Sequence, residues 1–164
     1  MATSGKNLSK VDRDKTPSAF SFKFGIVVAE WNEDVTMNLA KGARATLLEL
    51  GASDHNITVH TVPGSFELPV AAKWMAESGK VHAVIAIGSV IQGETRHFEF
   101  VCQAVAQGIK DVNIQTGVPV IFCVLTDDTK QQALDRSGGK HGNKGVEAAV
   151  AAVKMAALRA EIGK

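Results

Sequence analysis

Residues 81–100 read VHAVIAIGSVIQGETRHFEF. The first half is almost continuously apolar and rich in β-branched side chains, the pattern of a strand buried on both faces. After the polar turn GETRH, the residues Phe98, Val101, Val105, Ile109 and Val112 recur at three- and four-residue spacing. They form the apolar stripe of a helix that ends before Gly117. A doubly buried strand that feeds a helix is the repeating unit of a parallel sheet covered by helices on both sides.

The same unit recurs on either side of this stretch. FKFGIVVAEW (22–31) reads as a strand ending in polar WNED, followed by a helix over 33–50 with Val35, Leu39, Ala43, Leu47 and Leu50 on one face. ITVHTV (57–62) runs into VPGSFELP and a helix over about 66–78. VPVIFCVL (118–125) leads into TDD, a short helix near 129–137 and the glycine-rich SGGKHGNKG. The last helix carries Val146, Val150, Val153 and Ala157. With right-handed crossovers, this alternation predicts an α/β fold: a three-layer αβα sandwich with a flavodoxin-like parallel sheet of four or five strands.

At 164 residues the chain is one domain. It is read as a domain over 18–164 behind a flexible polar arm, 1–17. A formal charge of +1 gives no field for nucleic acid. Cys102 and Cys123 sit in apolar segments outside any metal-binding spacing, so they are expected to be reduced core thiols with no structural metal. The first residues have no apolar signal region, and no apolar run approaches the roughly 20 residues needed to span a bilayer. The expectation is a cytoplasmic protein with no membrane partner.

In such sheets ligands bind outside the carboxyl ends of the strands, where WNED, VPGSFE, IQGETRH and LTDD all lie. In GETRH, Gly93 allows close backbone approach, and the first N–H groups of the helix, with the Thr95 hydroxyl, suit an anion such as phosphate. The competing reading makes Thr95 a helix cap, and on physics alone capping leads. His97, beside that cradle, suits proton transfer in both directions. His55, His60, His82 and His141 read as surface histidines. Ser65 and Glu67 suit a polyol, and Trp31 is either a stacking platform or a core residue, whereas Trp74 reads as core. SGGKHGNKG reads as a tight connection between helices, flanked by Arg136 and Lys144 as candidate anion ligands. From the residues alone the site takes something planar, hydroxylated and phosphorylated, in one molecule or two.

Taken together, the strand-end WN, VPGSFELP, GSVIQGETRHFEF, GVPVIFCVLT and QALDRSGGKHGNKGVEAA resemble the 6,7-dimethyl-8-ribityllumazine synthase family of riboflavin biosynthesis, from about Phe22 to the C-terminus. The resemblance implies a transferase that joins 5-amino-6-(D-ribitylamino)pyrimidine-2,4-dione to 3,4-dihydroxy-2-butanone 4-phosphate, with no metal or organic cofactor. It implies that Trp31 stacks on the pyrimidine, where Phe is the usual residue, and that Asn32, Ser65, Phe66 and Glu67 hold the ribityl chain. The backbone of Val90 and Ile91 would read the ring edge. Gly93, Glu94 and Thr95 would cradle the phosphate, and His97 would move protons. Phe122, Arg136 and Lys144 would come from a neighbouring subunit, Arg136 completing the phosphate site. The resemblance further implies pentamers, here packed as a 60-chain icosahedral shell, about sixty subunits in closed symmetry. A riboflavin synthase would be a partner protein, and an N-terminal strand involving FSFKF would be donated to a neighbour's four-stranded sheet. The competing assignments are an archaeal-type riboflavin synthase and a flavin-binding shell protein without catalysis.

Overall fold

The computed structural model describes residues 7–163; residues 1–6 of the expected arm, and residue 164, lie outside the described residues. In chain order, β1 (Phe24–Ala29) leads to α1 (Glu33–Glu49), β2 (Ile57–Val62) to α2 (Leu68–Glu77), and β3 (Ala83–Ile91) to α3 (His97–Thr116). Then β4 (Val120–Asp127) leads to α4 (Lys130–Arg136), the ribbon β5 (Ser137–Gly139) and β6 (Gly142–Asn143), and α5 (Lys144–Ile162). The four long strands form one parallel sheet in the order β2-β1-β3-β4. Ile26 stands opposite Val59 on one side and Ile85 on the other, and Ile85 stands opposite Ile121. The strand order reverses between β1 and β3, so a crevice opens at their carboxyl ends.

Alternation along the central strands divides the core in two. Ile26, Val28, Ile85, Ile87, Cys123 and Leu125 pack with α1 and α5 on one face. Val27, Ala29, Val84, Ala86, Val120 and Val124 pack with α2 and α3 on the other. This is the expected three-layer sandwich, with β1 buried along its whole length. β2 differs: its middle four residues are exposed, because it is an edge strand whose ITVHTV alternates apolar and polar side chains.

Tertiary contacts overturn several local expectations. On α5 the buried stripe is Gly145, Ala148, Ala149, Ala152, Val153 and Ala156, and Val146 and Val150 are only half-buried. Small side chains win this face because α5 lies close against α1: a Cβ on Gly145 would sit 2.0 Å from the Leu39 carbonyl oxygen. Trp74 is 67% exposed, since it projects from α2 beside the uncovered edge strand. Phe98 is half-buried and belongs to neither core, because the first turn of α3 extends past the sheet. SGGKHGNKG forms the small antiparallel ribbon rather than a plain connection.

FSFKF is engaged within its own chain. Phe24 belongs to β1, the Lys23 N–H donates to His82 Nδ1 (2.8 Å), and the Phe22 ring meets the His82 ring edge-on at 5.6 Å. The described residues before Phe22 also make contacts within their own chain. Among those, the Leu8 N–H donates to the His141 carbonyl (2.8 Å), and Arg13 pairs with Glu49 (3.2 Å).

Candidate active site

The turn after β1, the segment that leads from β2 into α2, the end of β3 and the start of α3 line an open cavity of 670 Å³. β1 must turn sharply into α1, and Asn32 does this in the left-handed region (φ 57°), which Asn tolerates better than most residues. Its Nδ2 donates to the Ser89 carbonyl (2.9 Å), tying the end of β1 to β3 across the switch point. Trp31, one residue earlier, is 74% exposed at the mouth, which removes the core reading.

The opposite wall is the 3-10 turn Ser65–Glu67 that precedes α2. Gly64 lies beneath both Glu67 and Trp31: a Cβ there would be 3.1 Å from Glu67 Oε2 and 3.4 Å from Trp31 Cδ1. The turn rests directly on β3, where a Cβ on Gly88 would come within 2.5 Å of Ser65 Oγ. Ser65 and Ser89 are buried and both hydroxyls lack a hydrogen-bond partner. Phe66 is 61% exposed over the cavity.

Val90, Ile91 and His97 complete the lining, with Val101 one turn further along α3. The Thr95 hydroxyl lies 3.4 Å from the His97 N–H, at the long limit of a hydrogen bond, and the N-cap residue Arg96 makes no side-chain cap bond. The amides that open α3 are thus only weakly satisfied, the condition for an anion site. Gly93, Glu94 and Thr95 are exposed on the loop joining Ile91 to His97 but do not line the cavity themselves.

Trp31, Asn32, Ser65, Phe66, Glu67, Val90, Ile91 and His97 are therefore brought together within one chain. Phe122, Arg136 and Lys144 are not: none lines this cavity. Phe122 is 39% exposed on β4, Lys144 pairs with Glu147 (2.6 Å), and Arg136 Nη1 donates to the Gln132 carbonyl (2.9 Å). Gly64, Ser89 and Val101 also line the site: the sequence placed Gly64 in a strand-end loop and Val101 on the apolar stripe of α3, and for Ser89 the available signal was its place at the strand end just before Val90. Among the described residues no cluster of His, Cys, Asp and Glu is arranged to hold a metal ion. Burial pushes the Cys123 thiol up to about 12, so it stays protonated in the core.

The family model described as 6,7-dimethyl-8-ribityllumazine synthase matches residues 21–160, nearly the whole described chain. The chain belongs to the lumazine synthase family. A Flavobacterium johnsoniae lumazine synthase is 57% identical over 159 residues, covering 97% of this chain and 84% of that protein. One from Christiangramia forsetii is 57% identical over 160 residues, covering 97% of this chain and 95% of its own. One from Porphyromonas gingivalis is 54% identical over 158 residues, covering 96% of this chain and 98% of its own. Neither competing assignment, riboflavin synthase or a shell protein without catalysis, finds support among these relatives. The lumazine synthase family and the flavodoxin-like sheet are consistent with each other, and the cavity lies at the switch point where such sheets bind ligands. Among the described residues no helix is long and apolar enough to cross a membrane.

Proposed function

We propose that this chain condenses 5-amino-6-(D-ribitylamino)pyrimidine-2,4-dione with 3,4-dihydroxy-2-butanone 4-phosphate to give 6,7-dimethyl-8-ribityllumazine, the penultimate step of riboflavin biosynthesis. The observation that carries this is the single cavity in which an exposed Trp31, the Ser65–Glu67 turn and His97 face one space. Trp31 stacks on the pyrimidine, the amides and carbonyls of Val90 and Ile91 meet its edge, and Asn32, Ser65, Phe66 and Glu67 hold the ribityl chain. The ring amine attacks the ketone and water leaves as the imine forms. Phosphate is then eliminated, held by Gly93, the Glu94 N–H, Thr95 and Arg136, and the ribitylamino nitrogen closes the second ring with loss of another water. His97 passes protons at these steps. No residue has to form a covalent bond to substrate, so much of the rate comes from holding two reactants together, worth about 7–11 kcal/mol at best.

Phe122, Arg136 and Lys144 act in a neighbouring subunit's cavity. What supports this is that they are absent from their own and that apolar side chains stand open on α3, with Ile114 80% and Phe100 64% exposed. The assembly is a pentamer, built further into an icosahedral shell, with a strand from the segment before Phe22 added to the neighbour's sheet. A riboflavin synthase that consumes the product is the partner protein, and the reduced thiols of Cys102 and Cys123 suit a cytoplasmic location. Incubation with both substrates tests the activity: lumazine fluorescence grows only when both are present, and riboflavin appearing from lumazine alone would replace this reading with that of a riboflavin synthase.

A further inference from the structure

Among the described residues Asp127 is the one charged side chain that is buried, at 7% exposure. It closes β4 opposite Ile91, and its carbonyl accepts the Gln92 N–H (2.9 Å), so its backbone is fixed against the start of the GETRH loop. Oδ2 is buried without a partner, and Oδ1 lies 3.7 Å from Arg136 Nη1, an ion pair beyond hydrogen-bonding reach. Burial raises the carboxyl above its ordinary range, the Arg136 guanidinium draws it back, and Asp128 raises it further. A raised acid loses stability for the fold as pH climbs past the ordinary carboxylate value, so the ionised group works against folding at neutral pH.

What the charge acts on is Arg136. Its Nη1 is held between the Gln132 carbonyl at 2.9 Å and Asp127, while among the described residues Nε and Nη2 make no hydrogen bond. We propose that Asp127 is a positioning residue for the phosphate site: it fixes one edge of the Arg136 guanidinium and leaves the Nε–Nη2 edge as a two-pronged donor for the phosphate of the four-carbon substrate. This rests on the reading of Arg136 as a phosphate ligand. A guanidinium has five N–H donors in a rigid plane, so anchoring one edge orients the other.

The test is steady-state kinetics on the assembled protein for Asp127→Asn, Asp127→Ala, Arg136→Ala and the double variant Asp127→Asn/Arg136→Ala, with thermal unfolding alongside. Asp127→Asn raises KM for the butanone phosphate about tenfold, the equivalent of one lost charge-assisted contact. The pyrimidine KM stays within about twofold, and Tm is unchanged or slightly raised because the buried charge is gone. Asp127→Ala gives the same split. Arg136→Ala raises the butanone phosphate KM at least as far, and the double variant matches Arg136→Ala alone, since both act through one contact. A raised KM in Arg136→Ala with no change in either Asp127 variant overturns the proposal but leaves the phosphate role of Arg136 intact. No change in Arg136→Ala overturns that role and the proposal with it. A fall in Tm with both KM values raised alike in Asp127→Asn makes Asp127 structural and also overturns it.

Discussion

His97 is the histidine that reaches the cavity, and it does so because α3 starts at that residue. With proximity supplying much of the rate, one proton-transfer group is worth about 10²-fold. His97→Ala is expected to lower kcat by about that factor while activity stays above the protein-free control; complete loss with substrates still bound would contradict it. Trp31 offers a broad indole face for stacking, and it is open. Riboflavin should therefore bind with quenched fluorescence, and Trp31→Ala should abolish the quenching in titration. For Trp31 the residues alone left stacking and core both open, and its exposure removes the core reading. His97 was legible in the sequence because strand-end position and side-chain chemistry coincide there. Asp127 and Ser89 were not, because burial of a strand-end polar group depends on which helix covers that face. The core reading of Trp74 failed for the same reason in reverse: helical spacing does not reveal that the neighbouring β2 is an uncovered edge.

Among the elements, the strands and helices were readable to within a few residues, since apolar runs and stripes specify type and order. The faces were less so. On α5 the expected Val153 is buried, but Val146 and Val150 yield the rest of the stripe to Gly145 and the alanines, because helix-to-helix distance outweighs side-chain hydrophobicity there. Gly145→Ala tests this directly. The added methyl would meet a backbone carbonyl oxygen, that of Leu39, which cannot swing aside. Overpacking of this kind costs about 1–3 kcal/mol, and the expected drop in Tm by thermal unfolding is about 5 °C. An unchanged Tm would mean that α5 is free to move off α1.

For the molecule as a whole, the cavity of one chain holds the pyrimidine and proton-transfer half of the proposed site but none of Phe122, Arg136 and Lys144. Spacing and composition cannot tell which copy a residue serves; the resemblance to the family alone implied the division, and the topology adds that these three residues stand apart from the cavity of their own chain. Sedimentation velocity is expected to show a shell of about sixty subunits in closed symmetry. A species that stops at the pentamer would remove the shell and leave the shared site standing. The activity proposed for this cavity is the joining of two substrates with release of phosphate. Its most direct measurement is the simultaneous quantification of lumazine and inorganic phosphate from both substrates in the presence of a metal chelator. Equal amounts of the two, formed faster than in the protein-free control and absent when either substrate is omitted, are predicted. Phosphate release without lumazine, or no product above the control at saturating concentrations of both substrates, would contradict the claim.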